Sequence, residues 1–227
     1  QAKDFADPES LLSNTITPLG AASASQDYAY YGGLEKYTDG DTFDPDLALE
    51  YKETAMEELA AEGCTFPVIV YYPYNPNETN ADSMAQLVEQ QLENLLGTDY
   101  IDVVIQQGNE SFLSTVRRAG NYGFTLCNWG ADYSDASAYV VDPFAEDSSY
   151  SFIYESDDPE TQSFYQEYLD LVETGLATTD DIEARYEAFA QAECVLLDHG
   201  FAIPIHTNTR EYSFSKLNPL EGSYASF

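Results

Sequence analysis

Hydrophobic positions along this chain alternate between two periods, and the switches between them lay out the expected elements. Asp44-Pro45 opens the first clear helix. Asp is a good N-cap and Pro suits the first helical position. Leu49, Met56, Leu59 and Ala60 form its apolar stripe, and Gly63 is placed to stop it. Residues 66–72 are β-branched and aromatic, which predicts a strand that Tyr74-Asn75-Pro76-Asn77 breaks. Met84, Leu87, Val88, Leu92, Leu95 and Leu96 then recur at helical spacing up to Gly97. Residues 101–105 predict a second strand. Asn109 predicts the cap of a short helix carrying Phe112, Leu113 and Val116, and residues 124–129 predict a third strand.

After a loop-rich stretch over 134–159, Phe164, Tyr165, Tyr168, Leu169 and Val172 mark another helix. Ile182, Tyr186, Phe189, Leu196 and Leu197 mark a last one over 179–199, which Gly200 ends. A strand over 201–206 and a further one over 211–214 complete the reading. Strand–helix–strand–helix–strand order implies right-handed crossovers and a mixed, mostly parallel sheet with helices on both faces, an α/β class. Residues 1–43 lack periodicity and are rich in Gly, Ser, Asp and Tyr, so they read as an extended segment. The chain therefore divides into 1–43, an α/β unit over 44–207, and a closing segment over 208–227.

Composition narrows the chemistry. Of 227 residues, 44% are hydrophobic, so the chain is globular. Forty-one acids against eight Lys plus Arg give a net charge of -33, which leaves no basic footprint for nucleic acid or an anionic membrane surface. Cys64, Cys127 and Cys194 match no metal or redox spacing and read as three buried thiols. The two histidines, His199 and His206, have no ligand-spaced partners, so no metal or cofactor is expected. His199 reads as a complement to a helix C-terminus. Asp39-Gly40-Asp41-Thr42-Phe43-Asp44 lacks a glycine and a distal Glu at the offsets of a calcium loop. The sequons at Asn77 and Asn109 read as helix caps.

The stretch Trp129-Gly130-Ala131-Asp132-Tyr133 concentrates the candidate chemistry. It places an acid beside the sole tryptophan at the carboxyl end of a predicted strand, where ligands of open α/β sheets bind. Asp132 reads either as a turn cap or as the anchor of a cationic ligand group. Trp129 reads as a core aromatic or a pocket wall, and Tyr133 as structural. An alternative class is an acidic glycoside hydrolase pairing Asp132 with Asp135 or Asp102, which needs carboxyls about 5–9 Å apart and one raised pKa. A purely adhesive surface module explains less of the motif order.

Four pieces together resemble the oligopeptide- and dipeptide-binding proteins of ABC importers, solute-binding family 5. They are Asp44-Pro45 through Ala60-Ala61-Glu62-Gly63, the helix over 82–96, Trp129-Gly130-Ala131-Asp132-Tyr133, and Ala192-Glu193 through Ile203-Pro204-Ile205. The resemblance covers most of 44–207 and implies the second lobe of a type II periplasmic-binding-protein-like fold, with 1–43 and 208–227 next to the hinge. It implies no catalysis and no cofactor. It implies a short peptide ligand (in some relatives another solute, such as an oligosaccharide), a missing first lobe and a membrane permease as partners. The location implied is extracellular, cell-surface or periplasmic, with a lipid anchor on the full-length protein. By this resemblance Asp132 pairs with the ligand's α-amino group, and the main chain at Asn128 and Gly130 bonds the ligand backbone beside Trp129 and Tyr133. Asn128 replaces the family's usual Gly, and Ala136 stands where Pro often occurs.

Overall fold

The computed structural model describes residues 12–39, 43–151, 154 and 156–207. Its elements are α1 (Glu35–Thr38), α2 (Pro45–Ala61), β1 (Val68–Tyr74), α3 (Ala81–Leu96), β2 (Ile101–Gln107), α4 (Ser137–Val140), α5 (Pro159–Ala177) and α6 (Ile182–Asp198). Three helices start as their sequences dictate. Asp44, Asp158 and Asp181 each accept a hydrogen bond from the backbone N–H three residues on, with Pro at the first turn of α2 and α5. Each cap satisfies a donor that the helix cannot, and contributes about 1 kcal/mol. Gly63, at φ +84°, follows the end of α2, and Gly97, at φ +87°, caps α3. Asn77 does not cap α3. That position falls to Asn80, at φ +61°.

Two compact units divide the chain. One holds residues 43–128 and 145–155. In it β1 and β2 pair in parallel, with Val68 opposite Ile101 and Tyr74 opposite Gln107. Tyr72, Ala85 and Val103 form its buried core, and Val88, Leu92, Ile101 and Ile105 pack around them. The α/β class is borne out, but the sheet has two strands among the described residues. The third strand expected over 124–129 is a correction. This segment runs beside β1 without forming a ladder: the N–H groups of Gly123 (2.8 Å) and Phe124 (3.3 Å) both donate to the Tyr71 carbonyl, and the Thr125 hydroxyl donates to the Pro73 carbonyl (3.0 Å). Phe124 stacks on Tyr72 instead, with ring centroids 4.7 Å apart. Its apolar residues thus serve packing, which is why it scans as a strand without entering a ladder. The short helix expected after Asn109 is a π-helical turn over Leu113–Arg117, and the Asn109 side chain does cap the preceding turn at Ser111 N–H (2.9 Å).

The other unit holds residues 1–42, 129–144 and 156–227. Helices α5 and α6 pack together over Tyr168, Val172, Phe189 and Leu196, all buried. Fully burying a side chain of this kind contributes about 1.5–3 kcal/mol. Gly175 admits the Phe189 ring, since a β-carbon there would stand 2.5 Å from it. The described part of 1–43 is not a plain extended segment. It turns back on α6, burying Tyr28, Ala29 and Leu34, with Tyr28 edge-on to Tyr186 at 5.6 Å. The strand expected over 201–206 is a single antiparallel bridge between His206 and Leu12. The strand expected over 211–214 lies outside the described residues. Cys194 is buried, and burial pushes its thiol up to about 12. Cys64 and Cys127 are exposed, which corrects the expectation of three buried thiols. His199 ends α6, and its ring stacks on Phe164 at 3.5 Å.

Candidate functional site

The loop from Trp129 to Ala136 leads into α4, and almost every polar side chain on it is engaged. The Trp129 indole N–H donates to the Ala138 carbonyl (2.7 Å). The Tyr133 hydroxyl donates to Asp142 (2.9 Å) and lies 3.2 Å from the Ser137 hydroxyl. Ser134 donates to the Ala21 carbonyl (2.8 Å). One Asp135 oxygen accepts both the Ser137 N–H (2.9 Å) and the Ser137 hydroxyl (2.6 Å), which closes the turn.

Asp135 is also gripped by Arg185 of α6. The guanidinium donates through Nη2 to Oδ1 (3.0 Å) and through Nε to Oδ2 (3.3 Å), a two-pronged ion pair with both side chains about four-fifths buried. Its third nitrogen donates to the Gly175 carbonyl (2.9 Å), and its carbon lies 4.7 Å from the Phe189 ring centre. Burial raises the Asp135 pKa, but the bonds from Arg185 and Ser137 outweigh it and hold the carboxyl below its ordinary value. A hydrolase needs two carboxyls free to face a substrate. Both Asp135 oxygens are held by Arg185 and Ser137, so this pairing with Asp132 is not supported.

Asp132 differs from its neighbours. It is exposed, and its carboxylate accepts no hydrogen bond and forms no ion pair among the described residues. Gly130 is also open: an added β-carbon would meet no atom within 4 Å. Trp129 and Tyr133 remain part-exposed at 37% and 48%, despite their anchored polar ends. These four residues share one loop of one compact unit. Asn128 belongs to the other unit, and its carbonyl already accepts the Tyr150 hydroxyl (3.2 Å). Among the described residues no cluster of His, Cys, Asp or Glu has the makings of a metal site, and no helix is long and apolar enough to cross a membrane.

The roles of two residues were not read from the sequence. Arg185 sits in the first turns of α6, where the helix dipole disfavours a cation. That misplacement is the sign of a specific acidic partner. Glu193 falls on the apolar stripe of Phe189 and Leu196, and an acid there must be bonded. It is fully buried and accepts the Ile16 N–H (2.7 Å), the Thr17 N–H (3.1 Å) and the Thr17 hydroxyl (2.7 Å).

The open acid thus stands on a braced loop of an α/β chain, and comparison with known proteins gives the family. The chain belongs to the bacterial extracellular solute-binding proteins, family 5: the family model, described as Middle, matches residues 9–151. Oligopeptide-binding protein AmiA of Streptococcus pneumoniae is 28% identical over 197 residues, covering 81% of this chain and 30% of AmiA. SarA of Streptococcus gordonii, also an oligopeptide-binding protein, is 26% identical over 75% of this chain and 28% of its own length. The chain thus spans under a third of these relatives. Among solved structures, a peptide-binding protein of a peptide ABC transporter superposes with a TM-score of 0.65 at 21% identity, covering 86% of this chain and 78% of that one. Haemophilus influenzae OppA in complex with RPPGFSPFR superposes at 0.58 with 23% identity, over 86% of this chain and 34% of that one. These structural likenesses establish the fold.

Proposed function

We propose that this chain is the amine-recognising part of a substrate-binding component of an ABC transporter that captures short peptides outside the cell. Asp132 pairs with the free α-amino group of the peptide. Trp129 and Tyr133 flank it, and the open main chain at Gly130 bonds the peptide backbone. Such main-chain pairing accepts many sequences, whereas the ammonium–carboxylate pair fixes the register. The observation that carries this reading is the contrast on one loop: Trp129, Tyr133, Ser134, Asp135 and Ser137 are all bonded, and Asp132 is not.

An exposed pair contributes only about 0–1 kcal/mol, so the anchor works when water is excluded. In this reading the rest of the full-length protein, including a first lobe absent from this chain, closes over the peptide. The loaded protein then delivers the peptide to a membrane permease and performs no catalysis. A lipid anchor on the full-length protein would hold it at the cell surface.

Calorimetry of the full-length protein with a peptide and its N-acetylated form tests the reading. A charge-assisted bond of about 1.5–3 kcal/mol predicts a loss of roughly 10–150-fold on acetylation. Equal affinity for the two forms would remove Asp132 from this role.

A further inference from the structure

We infer that Arg185 is the positioning residue of the ligand loop: by clamping Asp135 it sets where Asp132 stands and leaves Asp132 as the free acid of that loop for the ligand's ammonium. This rests on the reading of Asp132 as the anchor. The geometry carries it. Arg185 binds three things at once: both oxygens of Asp135 on the loop, the Gly175 carbonyl near the end of α5, and the Phe189 face of α6. The loop is therefore referenced to the α5–α6 pair, which is the most deeply packed part of its unit. Only two residues separate Asp132 from the clamped Asp135, and the Asp135–Ser137 turn leaves little slack. Without the guanidinium, Asp135 becomes a second available carboxylate on the same loop. It then competes for the ammonium and pulls it out of register. Arg185 thus serves two needs of a binding site: a rigid supporting contact and suppression of a decoy charge.

Lysine does not replace this arrangement, because the two-pronged bond to the carboxylate and the third bond to a carbonyl need a planar fork. A residue that only holds the fold together would alter how much protein is folded. It would not alter the ratio by which folded protein prefers a free amine.

The experiment measures that ratio in the full-length protein, as peptide Kd against N-acetyl-peptide Kd, for the wild type and for Arg185→Met, Arg185→Lys and the double variant Arg185→Met/Asp135→Asn. The double variant leaves no unpaired charge and guards against loss of folding in the single change. Folded fraction is monitored by near-UV circular dichroism. The expected result is that the amine preference falls from roughly 10–150-fold to within about threefold in Arg185→Met and in the double variant, with Arg185→Lys between. Overturning results are an unchanged ratio, or equal weakening toward both peptides. Asp132→Asn run alongside separates the two readings. If it abolishes the preference while the Arg185 variants keep theirs, the clamp alone is refuted. If it leaves the preference intact, the anchor is refuted and the clamp with it.

Discussion

Glu193 and Thr17 lie 176 positions apart, yet the buried carboxylate of one accepts both the hydroxyl (2.7 Å) and the N–H (3.1 Å) of the other. The Ile16 N–H is a third donor to the same group. This contact fastens the early part of the chain onto the face of α6. It gives an acid in an apolar stripe a structural reason, because a buried charge without partners would cost several kcal/mol.

That contact predicts a pH dependence of stability. Burial pushes the Glu193 carboxyl from 4.5 up to about 7, against the opposing bonds from Thr17 and Ile16. The folded chain therefore holds this proton more tightly than the unfolded chain. The contribution is fully present below about 4.5 and is lost as pH rises through about 7. Its size is about 3 kcal/mol, from about 1.4 kcal/mol per unit. Urea unfolding of the wild type and Glu193→Gln across this window isolates it. The wild type should lose stability relative to the variant as pH rises, since the amide cannot ionise.

Asp135 predicts the opposite sign. Its pKa is lowered on folding, the net of burial, which raises it, and the Arg185 and Ser137 bonds, which dominate. The stability it contributes is present at neutral pH and is lost as the solution becomes acidic and its carboxyl takes up a proton. Asp135→Asn should flatten this acid limb, measured as the difference in unfolding midpoint between variant and wild type from neutral pH downward.

Gly175→Ala should destabilise by about 1–3 kcal/mol, because the new methyl would stand 2.5 Å from the buried Phe189 ring. Thermal unfolding measures it. The same change at Gly130, where no atom lies within 4 Å, should alter stability by less than about 0.5 kcal/mol. A larger side chain at Gly130 separates stability from binding. Gly130→Val should keep the unfolding midpoint and weaken peptide affinity several-fold, by covering the main chain that the peptide would approach.

The helices were legible because their starts and stops are local. Asp44 announces its cap and apolar spacing does the rest, while Asp158 and Asp181, which the reading did not single out, cap α5 and α6 in the same way. The α/β class followed from the order of elements, and the candidate loop from its sole tryptophan beside an acid. What was not legible depended on distant partners. Residues 124–129 look like a strand, but whether an apolar run joins a ladder or packs by side chains is decided by its neighbours. Residues 12–39 show no period because helical turns of only three and four residues, too short to repeat a pattern, carry Tyr28 and Leu34 into the core. Arg185 and Glu193 each break a local rule, one by charge at a helix start and one by polarity on a buried stripe. Their partners, Asp135 and Thr17, lie 50 and 176 positions away.

The most direct test is the structure of the full-length protein with a short peptide bound. The account predicts the peptide's α-amino nitrogen at about 2.7–2.9 Å from an Asp132 oxygen, with Arg185 still on Asp135. An α-amino group held by other residues, with the Asp132 carboxylate facing solvent, would contradict it.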